Sequence, residues 1–138
     1  GSTITMEAWD KRYKPNLDLN HAWGGAPANI IVRKMMGVEP ISPGAKKIKI
    51  NPKIGDLNFA KLKTSFISGE VLVSCKQDKN SFTLEVEIPG GVEGYLILPA
   101  NKGSQQIYHN GNVLDLKTRN NKYHLDQVYG GKHLIEIK

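Results

Sequence analysis

Phe82-Thr83-Leu84-Glu85-Val86-Glu87-Ile88 alternates apolar and polar residues without a slip. A period of two turns Phe82, Leu84, Val86 and Ile88 to one face and Thr83, Glu85 and Glu87 to the other, the pattern of a strand between a core and water. Glu85 and Glu87 therefore read as solvated neighbours on a wet face rather than as a paired carboxylate site. The same period runs on in both directions. Strands are expected at 46–51, 58–65, 70–76, 81–88, 93–98, 105–109, 112–117, 122–125 and 133–138. Between them lie Asn51-Pro52, Gly55-Asp56, Ser68-Gly69, Asp78-Lys79-Asn80, Pro89-Gly90-Gly91, Asn110-Gly111, Asn120-Asn121 and Gly130-Gly131. These are turn-forming combinations, and Asn110-Gly111 is the strongest hairpin signal among them. Short strands punctuated by regular turns read as a mainly β fold, either an antiparallel β-sandwich of jelly-roll-like form or a barrel.

Upstream of residue 45 the period changes. Trp23, Ile30, Ile31, Met35 and Met36 fall at roughly helical spacing, predicting a helix over about 20–36 with Asn20 as its cap. Gly37 supplies its stop and Pro40 follows. Pro27 either opens the helix or kinks it. Ile30, Ile31, Val32, Met35 and Met36 cover more than one stripe, so the helix is expected to be buried on several sides.

The chain has 138 residues, enough for one core. Its single cysteine, Cys75, excludes an internal disulfide framework and shares the apolar face of Val71 and Val73, so a buried thiol is expected. The formal charge of +6 comes mainly from dispersed lysines, and Lys46-Lys47-Ile48-Lys49 alternates like a wet strand face. No concentrated basic surface or recognisable module points to nucleic acid. Apolar runs such as Tyr95-Leu96-Ile97-Leu98 are too short to cross a bilayer. His109, His124 and His133 lie apart in the sequence without a compact ligand spacing, so neither metal nor other cofactor is expected. Gly1-Ser2 reads as the scar of a removed tag, and no signal peptide is evident.

One further set of residues carries a resemblance. Thr5-Met6-Glu7-Ala8-Trp9, Asn20-His21-Ala22-Trp23-Gly24-Gly25-Ala26-Pro27-Ala28, Met36-Gly37-Val38-Glu39-Pro40, Pro43-Gly44, Gly55-Asp56-Leu57, Ile88-Pro89 and Leu96-Ile97-Leu98-Pro99-Ala100 occur in that order. Together they resemble the C-terminal end of bacterial α-L-rhamnosidases, glycoside hydrolase family 78. The resemblance implies an (α/α)6 catalytic barrel followed by a C-terminal β-sandwich. On that pattern residues 3–37 are the end of the helical barrel, 38–44 a linker and 45–138 the sandwich. It also implies hydrolysis of terminal α-L-rhamnose with inversion. Such chemistry needs a general acid and a general base set about 6.5–9.5 Å apart to admit a water. By resemblance Glu7 matches the base and His21 a sugar-contacting histidine, with Trp9 and Trp23 lining or supporting the pocket. The general acid would lie upstream, in the barrel that is the chain's intramolecular partner.

The chain by itself is then expected to be inactive, since a base without its acid and pocket has no transition state to stabilise. Its compartment is not legible. Apolar surface exposed at Trp9, Trp23 and the helix would favour self-association. The rival is a carbohydrate-binding module, for which Tyr108 and Tyr123, near turns, are the candidate exposed aromatics.

Overall fold

The computed structural model describes residues 4–100 and 106–138. Gly1-Ser2 and Gln105, expected as a scar and as a strand start, lie outside the described residues. The chain divides into a first unit ending at Ile31 and a second, Val32–Lys138.

The single helix expected over 20–36 is replaced by three short pieces. A 3₁₀ turn at Ala22–Gly25 is followed by α1 (Ala26–Ile30) and a π turn at Ile31–Met35. Pro27 falls in the first turn of α1, where a missing N–H costs no hydrogen bond. His21 rather than Asn20 precedes the first turn, and it makes no side-chain cap bond. Gly37 ends the run at φ 69°, a left-handed conformation. A β-carbon there would stand 2.0 Å from the Asn51 carbonyl oxygen, so the backbone contact requires glycine.

In the second unit nine strands form one sheet among the described residues. They are β1 (Val38–Pro40), β2 (Lys47–Ile50), β3 (Phe59–Phe66), β4 (Gly69–Gln77), β5 (Phe82–Pro99), β6 (Ile107–His109), β7 (Asn112–Leu114), β8 (Thr118–Arg119) and β9 (Lys122–Ile137). Residues 38–44 hold β1 and enter a 3₁₀ turn at Pro43–Ala45. β1 pairs with β2, and Val38 is buried among the core side chains, which anchors the stretch.

Pro89-Gly90-Gly91 and Gly130-Gly131, expected as turns between strands, are bends inside two long ones. β5 has 18 residues, roughly 60 Å if straight, more than a unit of this size can span. The register of β5 on β9 jumps from Ile88↔Gly131 to Glu93↔Tyr129, so several β5 residues face almost none on β9. Gly91 (φ 76°) and Gly131 (φ 132°) supply backbone conformations that other residues resist. A second irregularity sets Gly94↔Val128 beside Leu96↔Leu125, a bulge that admits Gln127 at φ 57°.

The bends give the sheet its two layers. One contains β3, β4, the first half of β5, the second half of β9, β6 and β7. The other contains β1, β2, the second half of β5, the first half of β9 and β8. All pairs are antiparallel except β2 with β5, which run parallel, so the antiparallel sandwich expected from the sequence carries one parallel pair. The alternation of 82–88 holds: Phe82, Leu84, Val86 and Ile88 are buried with Val71, Val73, Ile48 and Ile135, while Glu85 is exposed. Cys75 is buried too, and its thiol approaches the Ala60 carbonyl oxygen at 3.6 Å. Burial pushes that thiol's pKa up. Met36 is buried in the same core, with Val32 and Met35 packed partly against it. Ile30 and Ile31, by contrast, are half exposed, against the expected all-round burial.

The Asn110-Gly111 hairpin forms as expected. Asn110 and Gly111 both have positive φ, and His109 pairs with Asn112 across the turn. Asn120 and Asn121 repeat the device between β8 and β9.

Candidate functional site

The first unit assembles a small polar centre from three separate parts of its sequence. The Thr5 hydroxyl donates to the Gly24 carbonyl oxygen at 2.7 Å, and a β-carbon on Gly24 would stand 2.3 Å from the Thr5 backbone carbonyl oxygen. That close approach lays the segment before Glu7 against the turn that carries Trp23.

Lys14 Nζ forms an ion pair with Glu7 Oε1, and the Asp18 N–H donates to Oε2 at 3.3 Å. The Lys14 ammonium, foremost, holds the Glu7 carboxyl below its ordinary range; the Asp18 N–H and the His21 charge act in the same direction against partial desolvation. Glu7 is therefore ionised near neutrality. The His21 ring stacks on Trp23, centroids 4.5 Å apart and tilted by 42°. Its Nδ1 is buried without a hydrogen-bond partner among the described residues. Such a group is normally satisfied, so it marks a place where a partner belongs. Trp9 is 92% exposed and Trp23 62% exposed, so Trp23 is held by its histidine while Trp9 stands in solvent. Lys14 and Asp18 were not singled out by sequence. Lys14 follows Glu7 in a stretch without periodicity, and only the folded turns bring the two together.

In the second unit a different cluster forms around Glu39 on β1. Lys49 lies directly opposite on β2 and its Nζ reaches Glu39 Oε2 at 2.6 Å. Lys34 Nζ and Arg33 Nε approach Oε1 at 2.9 and 3.6 Å. Hydrogen bonds from Lys49, then Lys34, lower the Glu39 pKa to about 2. The cluster borders a cavity of about 230 Å³ that Lys53 also lines.

His109 and His133, apart in sequence, meet at 3.0 Å between Nε2 and Nδ1 because β6 pairs with β9. His133 Nε2 also lies 2.7 Å from the Tyr129 carbonyl oxygen. His124 Nδ1 contacts the Tyr95 hydroxyl. Among the described residues no group of three His, Cys, Asp or Glu side chains is arranged to hold a metal ion. No described helix is long and apolar enough to cross a membrane. Of the two tyrosines considered for sugar stacking, Tyr123 is only 7% exposed, because its position on β9 faces the core. The Tyr108 ring is half-buried under Lys138, and its hydroxyl donates to Gln106 at 2.7 Å.

Comparison with known proteins gives a consistent answer. Residues 37–111 match the family described as bacterial alpha-L-rhamnosidase C-terminal domain. An alpha-L-rhamnosidase from Alteromonas sp. (strain LOR) is 28% identical over 109 residues, 73% of this chain. The chain spans only 12% of that relative's length. Among solved structures, the α-L-rhamnosidase of Dictyoglumus thermophilum superposes with a TM-score of 0.80 at 23% identity, covering 88% of this chain and 14% of that one. The Streptomyces avermitilis α-L-rhamnosidase, solved in complex with L-rhamnose, gives 0.80 at 19% identity over 99% of this chain and 14% of its own. At these identities the structural likeness establishes the fold.

Proposed function

The chain belongs to the bacterial α-L-rhamnosidase C-terminal domain family, and on that premise we propose that it is the closing portion of an inverting enzyme that removes terminal α-L-rhamnose. The observation that carries the reading is the family match over residues 37–111, which lies wholly within the second unit. Residues 3–37 then end a helical catalytic barrel, 38–44 lead out of it, and 45–138 form a β accessory domain with a structural role.

Within that enzyme Glu7 is the general base and His21 contacts the sugar. An inverting base must be ionised to take a proton from the attacking water, and the Lys14 ammonium keeps Glu7 in that state. Because Lys14 and the Asp18 N–H engage both carboxylate oxygens, the water takes its place by displacing one of them. The unpartnered His21 Nδ1 supplies a polar atom for a sugar hydroxyl, beside the Trp23 ring that suits an apolar sugar face. The general acid comes from the preceding barrel.

The test is hydrolysis of an aryl α-L-rhamnoside, followed by NMR of the first-formed anomer. The longer enzyme should release β-L-rhamnose, and the 138-residue chain alone should show no turnover. Release of the α anomer overturns the inverting assignment. Turnover by the short chain overturns its non-catalytic role.

A further inference from the structure

The wet face of the β3–β4–β5–β9 layer holds a groove that the catalytic reading leaves unused. Its cavity of about 350 Å³ is the larger of the two noted on the β unit and falls within the usual range for small-molecule clefts, about 300–1,000 Å³. Strand register builds it. One cross-strand row runs Lys61, Ser74, Glu85, Leu134; the next brings Leu72, Glu87 and Lys132 side by side.

We propose that this groove is a saccharide subsite that takes one neutral pyranose unit. Its polar groups alternate in kind. Glu85 and Glu87 accept hydrogen bonds, Lys61 and Lys132 donate them, and the Ser74 hydroxyl does both. A sugar hydroxyl is likewise both donor and acceptor, so a polyol can satisfy such a set. The two lysines and two carboxylates cancel, so the groove offers no net attraction to an anion, which would meet Glu85 and Glu87. Lys61 and Glu85 flank Ser74 two strands apart, roughly 9.6 Å across the backbone. Among the described residues neither makes an ion pair or side-chain hydrogen bond, so both remain free for a ligand. Lys132 holds Glu87 only loosely, at 3.8 Å.

Two further features fit a sugar. Asn110 Oδ1 is fixed by the Leu134 N–H at 2.8 Å, while the Asn110 N–H donates to the Leu134 carbonyl oxygen. The amide NH₂ is thereby aimed and left as a positioned donor at one end. Leu72 and the partly exposed Leu134 give the groove an aliphatic floor for the C–H face of a pyranose. No tryptophan, tyrosine or phenylalanine lines it, and the His133 ring among its lining is already engaged by His109 and the Tyr129 carbonyl oxygen.

The choice of sugar rests on the rhamnosidase reading; the groove itself does not. The experiment is NMR titration of the ¹⁵N-labelled chain with methyl α-L-rhamnoside, glucose, sodium glucuronate and sodium sulfate. Saturable shifts at the amides of Leu72, Ser74, Glu85 and Leu134 with a neutral sugar, weakened about tenfold in both Glu85→Ala and Lys61→Ala, are the expected result. Both substituted side chains are exposed, so the variants should keep the wild-type spectrum. Larger shifts with glucuronate or sulfate, shifts confined to residues 7–23, or none with any neutral sugar overturn the proposal. Groove binding of glucose but not rhamnoside keeps the subsite and counts against its link to rhamnose. Failure of the enzyme assignment is read separately, from rhamnoside hydrolysis.

Discussion

Ile88 Cδ1 stands 2.5 Å from where a β-carbon on Gly94 would be, although the two residues are six apart on one strand. In a straight strand they would be separated by roughly 20 Å. The contact is therefore the signature of the bend in β5, and it lets one strand serve both layers. β9 makes the matching approach: a β-carbon on Gly130 would meet the Pro89 carbonyl oxygen at 2.7 Å and Gly90 Cα at 2.8 Å.

Gly94→Ala and Gly130→Ala should both destabilise the fold, by about 1–3 kcal/mol for an overpacked site. Gly130→Ala should cost more, since it strikes backbone, whereas Gly94→Ala strikes the end of a side chain that can rotate. Urea denaturation of the two variants measures the order. The reverse order would mean that the bend yields more easily than the Ile88 side chain does.

Glu39→Gln should lower stability by about 1 kcal/mol, a modest figure because Lys34 and Arg33 are substantially in solvent and only Lys49 is mostly covered. The folded pKa of Glu39 falls from its ordinary 4.5 to about 2. A depressed carboxyl stabilises the fold fully above its unfolded pKa and loses that contribution as pH falls toward the folded one. The gap between wild type and variant should be constant at neutral pH and close between 4.5 and about 2. Thermal melts across that range test it, and a gap that does not change with pH would refute it.

His109 acts in the same sense over a higher pH window, since its folded pKa is also lowered. Burial first, and the charge of His133 second, hold its pKa below the ordinary 6.5. The unfolded chain therefore takes up the proton more readily, so this site favours folding above 6.5 and loses that contribution as pH falls below it. His109→Asn should flatten the fall in melting temperature between about pH 7 and pH 5. An unchanged slope would remove His109 as its source.

On the proposed reading of Glu7 as general base, Glu7→Gln in the longer protein should reduce kcat for rhamnoside hydrolysis by about 10²–10⁴-fold. His21→Ala should act mainly on KM. Lys14→Met removes the principal cause of the lowered Glu7 pKa, so the acidic limb of the kcat/KM profile should move to higher pH. Wild-type activity in Glu7→Gln would end the assignment, and an unmoved acidic limb in Lys14→Met would show that a different group titrates.

Strand existence was legible wherever one face alternated, as in 82–88 and 70–76, because period two is a local consequence of burying a single face. Asn110-Gly111 and Gly37 were equally legible, since their left-handed φ is a requirement of a few atoms. The glycine pairs at 90–91 and 130–131 were read as turns between strands. Glycine announces freedom to bend, and only the partner strand decides whether the chain reverses or keeps its hydrogen bonds through the bend. The candidate site divides in the same way. Glu7, His21 and Trp23 stood out by resemblance, whereas Lys14 and Asp18 entered only once turns had closed.

The sequence by itself determined the β character, the buried face of the strands at 70–76 and 82–88, the two hairpin turns with positive φ and the kinship with rhamnosidases. These depend on residues adjacent in the chain or on the order of short motifs. Tertiary structure alone decided that β2 runs parallel to β5, that two long strands share both layers, and that His109 meets His133. It also decided that Lys61 and Glu85 flank one groove. Each of these joins residues far apart in sequence. Their meeting is set by which strands pair and in what register, a choice made by burying the whole core at once.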